Sequence, residues 1–118
     1  MTTAPASLPD LIFHICPKAD WQSSGITGSY AGSSHSRADG YLHFSLREQL
    51  AESFARHFPS PEGLVVLAVS PAELLALGAD MRWEVSRGGA LFPHLYSPVP
   101  VEAVVEVRPA SDIAQITQ

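Results

Sequence analysis

His14 is the first residue whose type and position suggest chemistry. It lies between Phe13 and Ile15 in the apolar run LIFHIC, and strand alternation directs it to the same face as Ile12 and Cys16. Burying an imidazole costs free energy unless the ring is hydrogen-bonded. His14 is therefore either a core histidine bonded to a backbone carbonyl or a ligand-binding group.

His43 is the second such residue, and its neighbours on the same strand face are polar. In YLHFS, alternation places Tyr41, His43 and Ser45 on one side. Two strands that each carry an inward histidine predict a shared cleft, with the side chains of His14 and His43 within about 10 Å, an ordinary pocket width. Ser45 also precedes Glu48 by three residues, so it fits the capping box of a helix as well.

A third segment, RWEVSRGGALFPHLY, carries a carboxylate, an arginine and a histidine. Glu84 follows Trp83, and a carboxylate beside a large aromatic has a raised pKa or a specific partner. Arg87 precedes a glycine pair that begins at Gly88; this group either holds an anion through backbone N–H groups and the guanidinium or forms an ordinary turn. His94 is either a ligand-binding residue or a loop histidine without a role.

Two kinds of chemistry are disfavoured by the spacing. The histidines and Glu84 show no HExxH, CxxC or HxH pattern, so no metal site is predicted. Cys16 and His14 are two residues apart on one strand, about 6–7 Å, which is too far for His14 to serve as a base for a thiolate. A buried cysteine is more often a small hydrophobic residue. A nucleotide-type ligand held by histidines, an arginine and an aromatic ring is the remaining hypothesis.

The elements that must position these residues alternate between strand and helix. Leu46, Leu50, Phe54 and Phe58 form one apolar stripe and predict a helix, and Ser70-Pro71 predicts the start of a second. LVVLAVS, at 64–70, predicts a central strand covered on both sides. Further strands are predicted at 11–16, 41–45, 81–85 and 101–107, a loop at 25–40 and an irregular stretch at 86–100.

Length and composition predict one α+β domain over 11–108 with tails at 1–10 and 109–118. The chain has 118 residues and a net charge of −5, which fits one domain. Its seven basic residues are scattered, whereas nucleic-acid binding requires a basic stripe, so a nucleic-acid partner is not expected. A single cysteine and the lack of an apolar run near ~20 residues favour the cytoplasm and no membrane partner.

The segments FHICPKADWQ, DGYLHFSLREQLAESFARHF and RWEVSRGGALFPHLYSPVP resemble a bacterial family catalogued as domain of unknown function 952. The resemblance runs from about Leu11 to Val107. That family is grouped by similarity with ADP-ribosyltransferase-like folds, which bind NAD in a cleft between two halves of a split sheet. The resemblance implies a split mixed sheet with two or three short helices.

The resemblance also implies roles for the first two strands. In such folds a first-strand histidine bonds the ribose of NAD, and Phe13-His14 matches that position. A second-strand residue lies at the nicotinamide, here His43, with Tyr41 or Ser45 beside it. His43 is accordingly a candidate catalytic residue, and His14, Tyr41 and Ser45 are candidate NAD-binding residues.

The resemblance implies catalytic and binding roles for residues of the third segment as well. Glu84 matches the glutamate that assists attack on the ribose, where cleavage of the nicotinamide bond develops positive charge. Arg87 and Gly88 would hold the pyrophosphate, and His94 would join the binding site. The function implied is binding of NAD or an NAD-derived nucleotide, with ADP-ribosyl transfer or nicotinamide cleavage as its reaction.

An alternative hypothesis is a non-catalytic interaction module that binds its partner through the segment LFPHLYSPVP. If Phe92, Leu95 and Tyr96 are exposed among the prolines, they form an apolar patch suited to a non-catalytic interaction module. Such an exposed apolar patch would also favour weak self-association. Burial of these rings distinguishes the two hypotheses, because a buried segment belongs to the core.

Overall fold

The structure is a computed structural model that describes residues 8–32 and 39–118. Within this range the strands are Ile12–Pro17 (β1), Ser29–Tyr30 (β2), Leu42–His43 (β3), Leu64–Val69 (β4), Met81–Val85 (β5), Leu91–Leu95 (β6), Val99–Pro100 (β7) and Val104–Pro109 (β8). The α-helices are Lys18–Thr27 (α1), Arg47–His57 (α2), Pro71–Ala76 (α3) and Ile113–Ile116 (α4).

The strands form two three-stranded sheets and one two-stranded sheet. The first sheet has the order β1-β4-β8, the second sheet has the order β3-β6-β5, and β2 pairs with β7. Every pairing in the described part of the chain is antiparallel. The α+β class is confirmed. In the residues that the structure describes, the sheets are antiparallel rather than mixed, and four α-helices lie there where two or three were predicted.

The predicted central strand β4 is confirmed. It lies between β1 and β8, and alternation along it divides the core into two parts. Val66 and Ala68 face α2 and α4, where they pack with Leu50 and Ile113. The other face packs against the second sheet and forms the larger core, which includes Ile12, Cys16, Leu42, Phe44, Leu67, Val69, Trp83 and Leu95.

Residues 42–45 connect the two large sheets. His43 pairs with His94 of β6, whereas Ser45 forms an isolated bridge with Phe13 of β1. Between these pairs, the N–H of Phe44 donates to the carbonyl of Pro93 at 3.0 Å. Because a proline has no N–H to return, the β3–β6 ladder ends at His43 and the chain crosses to the first sheet.

Strand β6 corrects the prediction of an irregular stretch at 86–100. It is the middle strand of the second sheet, and Phe92 and Leu95 are only 7% and 1% exposed. Phe92 and Leu95 are therefore buried and do not form the exposed apolar patch that the interaction-module hypothesis required, whereas Tyr96 is half-buried. A turn of 3-10 helix at Arg87–Gly89 joins β5 to β6.

The predictions for the ends of three helices had different outcomes. Ser70 caps α3 as predicted, because its Oγ accepts from the N–H of Glu73 at 3.2 Å. Ser45 does not cap α2; the side chain of Gln49 accepts from the N–H of Leu46 instead, at 2.9 Å. Within the predicted loop at 25–40, α1 extends to Thr27 and ends at Gly28, whose φ of 84° is left-handed.

The predicted tail at 109–118 is also corrected. A 3-10 turn at Ala110–Asp112 leads into α4, and Ile113 and Ile116 are buried in the second core. The guanidinium of Arg47 donates to the carbonyl of Ile116 and ties this helix to α2. Most of the predicted tail at 1–10, together with residues 33–38 of the predicted loop, lies outside the described residues. Within the described ranges, no helix has the length and apolar character needed to cross a membrane.

Candidate functional site

A polar face covers the side of the second sheet that is turned away from the larger core. Strand alternation produces it, because Leu42, Trp83 and Leu95 face the core and their neighbours face outward. His43 is directly opposite His94, which is opposite Arg82. We define the polar face as the six residues Tyr41, His43, Arg82, Glu84, His94 and Tyr96.

Glu84 is held at the centre of the polar face by two hydrogen bonds to one oxygen. The hydroxyl of Tyr96 donates to Oε1 at 2.6 Å, and Nδ1 of His94 donates to the same atom at 2.8 Å. The bond from Tyr96, followed by that from His94, lowers the pKa of Glu84. The prediction of a specific partner is confirmed, and its alternative, a raised pKa, was wrong.

The pKa values of the two donors, Tyr96 and His94, are also shifted at this site. The bond to Glu84 raises the pKa of Tyr96 to about 12, so the phenol keeps its proton. Burial lowers the pKa of His94, although its bond to Glu84 opposes the effect. The His94 ring is therefore neutral, with its hydrogen on Nδ1. It lies within strand β6, so the alternative prediction of a loop histidine was wrong.

Tyr41 connects the rings of the polar face. Its centroid lies 4.7 Å from that of His43, 4.4 Å from that of His94 and 5.1 Å from that of Tyr96, all in tilted arrangements. These are favourable distances for aromatic pairs. The rings form one cluster in which His94 is buried, and Tyr41, His43 and Tyr96 supply the accessible surface on which a planar ligand can stack.

Three charged residues that the sequence did not identify surround these rings. Asp39 accepts from Nε2 of His43 at 2.7 Å. The guanidinium of Arg82 lies 4.2 Å above the ring of Tyr96 and donates twice to Asp80, at 3.1 and 2.9 Å. Arg82, and Tyr96 as well, would have been found by extending strand alternation from Glu84 and His94.

A cavity of about 290 Å³ opens beside the polar face. Tyr41 and Tyr96 belong to both, and the rest of the cavity is lined by Ala31, Gly40, Leu42, Leu95, Ser97 and Pro98. The cavity and the rings together offer a stacking surface that leads into a partly apolar recess. Among the residues that the structure describes, no group of three His, Cys, Asp or Glu side chains is arranged to hold a metal ion.

His14 lies behind this face, in the core between the sheets. It is 4% exposed, and its ring packs 5.1 Å from that of Phe44. Its Nδ1 donates to the backbone carbonyl of His43 at 2.6 Å, and Nε2 accepts from the hydroxyl of Tyr30 at 3.4 Å. Burial lowers the pKa of His14 to about 4. The cleft predicted for the two histidine rings is not formed, because His14 meets the backbone of His43 rather than its side chain.

Two other predicted residues, Ser45 and Gly88, lie apart from the polar face. Ser45 is buried and donates to Oγ of Ser53 at 2.9 Å. Gly88, with a left-handed φ of 68°, belongs to the turn after β5, and the side chain of Arg87 lies outside the described part of the structure. Of the predicted set, the structure thus brings together Tyr41, His43, Glu84 and His94, whereas His14, Ser45 and Gly88 lie elsewhere.

Comparison with known proteins identifies the family. Residues 15–107 match the family model described as "Protein of unknown function (DUF952)", so the chain belongs to that family, as the sequence resemblance predicted. No curated protein matches it significantly.

Solved structures of protein CC0527 from Caulobacter crescentus are similar to this chain. The crystal structure is 42% identical, with 82% of each chain covered and a TM-score of 0.75. The solution NMR structure is 41% identical, covering 86% of this chain and 84% of that chain, with a TM-score of 0.69.

Proposed function

We propose that this DUF952 protein binds the nicotinamide–ribose part of NAD, or of an NAD-derived nucleotide, on the polar face and in the adjoining cavity. One observation carries the proposal: a fixed carboxylate, Glu84, lies beside the packed, tilted rings of Tyr41 and Tyr96 where these rings border a cavity. The proposal includes an ADP-ribosyltransferase-like fold, for which the two large sheets joined through residues 42–45 would be the halves of the split sheet.

The composition of the site suits a planar ligand that carries positive charge. Aromatic rings offer a negative π face, so a nicotinamide cation is attracted to Tyr41 as well as to the Glu84 carboxylate. A cavity of about 290 Å³ is at the small end for ligand pockets. It holds a ring and part of a sugar, and the rest of a dinucleotide would extend over the protein surface.

The chemistry that this arrangement supports is cleavage of the bond between nicotinamide and ribose. Nicotinamide leaves with the bonding electron pair, and positive charge develops on the ribose carbon. Glu84 stabilises that charge because its lowered pKa keeps it ionised at neutral pH. The acceptor hydroxyl, or water, attacks the same carbon and passes its proton to His43, whose ring is oriented by Asp39.

The test uses Glu84→Gln, which keeps the size of the side chain and an oxygen that can accept from Tyr96. NAD, ADP-ribose and nicotinamide at millimolar concentration are added to wild type and variant, and the melting temperature and nicotinamide release are measured. NAD should raise the melting temperature of both proteins by mass action. Release should fall about 10²–10³-fold in the variant, the usual effect of removing a charge-stabilising group.

The control is Glu102→Gln, which removes an exposed carboxylate on the 3-10 turn at Val101–Ala103. It should leave both measurements as in wild type. If none of the three compounds shifts the melting temperature of the wild type, the binding proposal is wrong. If NAD binds but Glu84→Gln releases nicotinamide as fast as wild type, the role given to Glu84 is wrong.

A further inference from the structure

Strand β8 is an edge of the first sheet. In the described part of the chain it pairs on one side, with β4. Its residues Val105 and Val107 are 63% and 38% exposed, although valine is among the strongest strand formers. An edge strand presents a row of backbone N–H and C=O groups, which another strand can pair with.

The two ends of β8 limit how much of this edge can pair. Pro109 has no N–H to donate, and the register with β4 shifts between Ala68 and Val69, next to Val104. A bulge of this kind twists the edge and interrupts regular pairing. Because the register passes from Glu106 to Val104 opposite neighbouring residues of β4, Val105 is the extra residue of the bulge. The continuous run for pairing is therefore Glu106 to Arg108.

In one antiparallel register, two copies of this run place residues of opposite charge opposite each other. If two copies of β8 pair in antiparallel fashion about Val107, then Glu106 of each copy is opposite Arg108 of the other. Pairing about Glu106 would instead place the two glutamates opposite each other, and like charges in that position are unfavourable. Arg108 already donates to Asp112 at 3.1 and 3.3 Å, but a guanidinium has five N–H donors and can serve both carboxylates.

We propose that β8 pairs with β8 of a second copy of this chain, centred on Val107, and joins two first sheets into one six-stranded sheet. The polar face belongs to the second sheet, so this contact is independent of the proposed nucleotide site. The ladder comprises three residues on each chain, Glu106 to Arg108, which is at the short limit of strands. The resulting dimer is accordingly weak and depends on protein concentration.

The experiment is a charge exchange followed by sedimentation velocity, over about a hundredfold range of concentration that reaches the millimolar level. Wild type should shift from monomer towards dimer. Glu106→Lys and Arg108→Glu should each lower the association constant about tenfold or more, because each places like charges opposite each other twice. An equimolar mixture of the two variants should associate again, since both cross-strand pairs then have opposite charge.

Glu102→Lys is the matched control, because it makes the same change of charge at an exposed residue outside the ladder. It should associate as wild type does. Circular dichroism confirms that each variant is folded. A wild type that stays monomeric at every concentration would overturn the proposal, as would a mixture that associates no more strongly than either variant alone.

Discussion

The role of His14 can be tested through the pH dependence of folding. The ring is buried and its Nδ1 donates to the carbonyl of His43, so the neutral form is favoured in the folded state. His14→Asn supplies an amide N–H₂ that can donate to the same carbonyl but does not titrate. The variant therefore removes the protonation of His14 while conserving much of its hydrogen bonding.

The magnitude follows from the difference between the folded and unfolded pKa of His14. Burial lowers the folded pKa from 6.5 to about 4, and each unit corresponds to 1.36 kcal/mol. The unfolded chain thus takes up a proton below about pH 6.5, whereas the folded protein does so only near pH 4. Stability falls as the pH decreases across this window, by about 3 kcal/mol in total. That is a large share of the ~5–15 kcal/mol typical of a domain.

The assay is urea unfolding of wild type and His14→Asn at several pH values from 7.5 to 4. The variant should be less stable at pH 7.5, and its deficit should shrink by about 3 kcal/mol near pH 4. Parallel curves for wild type and His14→Asn would refute the argument that His14 is buried and neutral.

Two more changes test the polar face and the C-terminal helix. Tyr96→Phe removes a donor to Glu84, whose side chain is 36% exposed, so we expect a loss of about 1 kcal/mol at pH 7. Because the folded pKa of Glu84 is lowered, that loss should disappear as the pH falls below the unfolded value and through the folded one. Tyr41→Phe is its control and should show no such pH dependence in urea unfolding. Ile116→Ala should cost about 2–5 kcal/mol, the range for a buried truncation; an unchanged melting temperature would mean that α4 does not pack.

Regular hydrophobic patterns predicted the strands and helices that have simple surroundings. Leu64–Val69 is apolar throughout because both of its faces are covered, and the sequence indicates this directly. The stripe from Leu46 to Phe58 likewise predicted α2, whose apolar side packs on the first sheet. In β4 and α2 the positions of the apolar residues along the sequence match the faces that are buried in the fold, so the local pattern was sufficient to predict both elements.

Strand β6 could not be recognised in the same way, because Pro93 lies in its middle. Proline is depleted in central strands since it cannot donate to the ladder. Here the cost is limited, because the missing donor faces the position where the chain at Phe44 leaves β6 and crosses to β1. That crossing depends on tertiary structure, and no local sequence pattern indicates it. His94 was therefore predicted to be either a ligand-binding residue or a loop histidine without a role, and Tyr96 was predicted only as part of the apolar patch.

Helix α4 was missed for a different reason. The last eight residues, SDIAQITQ, form a segment too short to be stable as an isolated helix. Ile113 and Ile116 are ordered because they fill the second core beside Leu50, and Arg47 binds the carbonyl of Ile116. Such a helix depends on packing rather than on propensity, so its existence follows from the sheet against which it packs.

The short β3 strand explains why the polar face has its ring cluster. Since the ladder with β6 covers only Leu42 and His43, Tyr41 is outside it and its ring can lie across His94 and Tyr96. The backbone beneath these rings is fixed by the alternate residues, Leu42 and Leu95, which are in the core. Binding a planar ligand would then order few side chains, and the entropy cost of binding is correspondingly small. The same coupling makes the face sensitive to changes on the opposite side of the sheet, because a cavity at Leu95 would loosen the strand that carries both His94 and Tyr96.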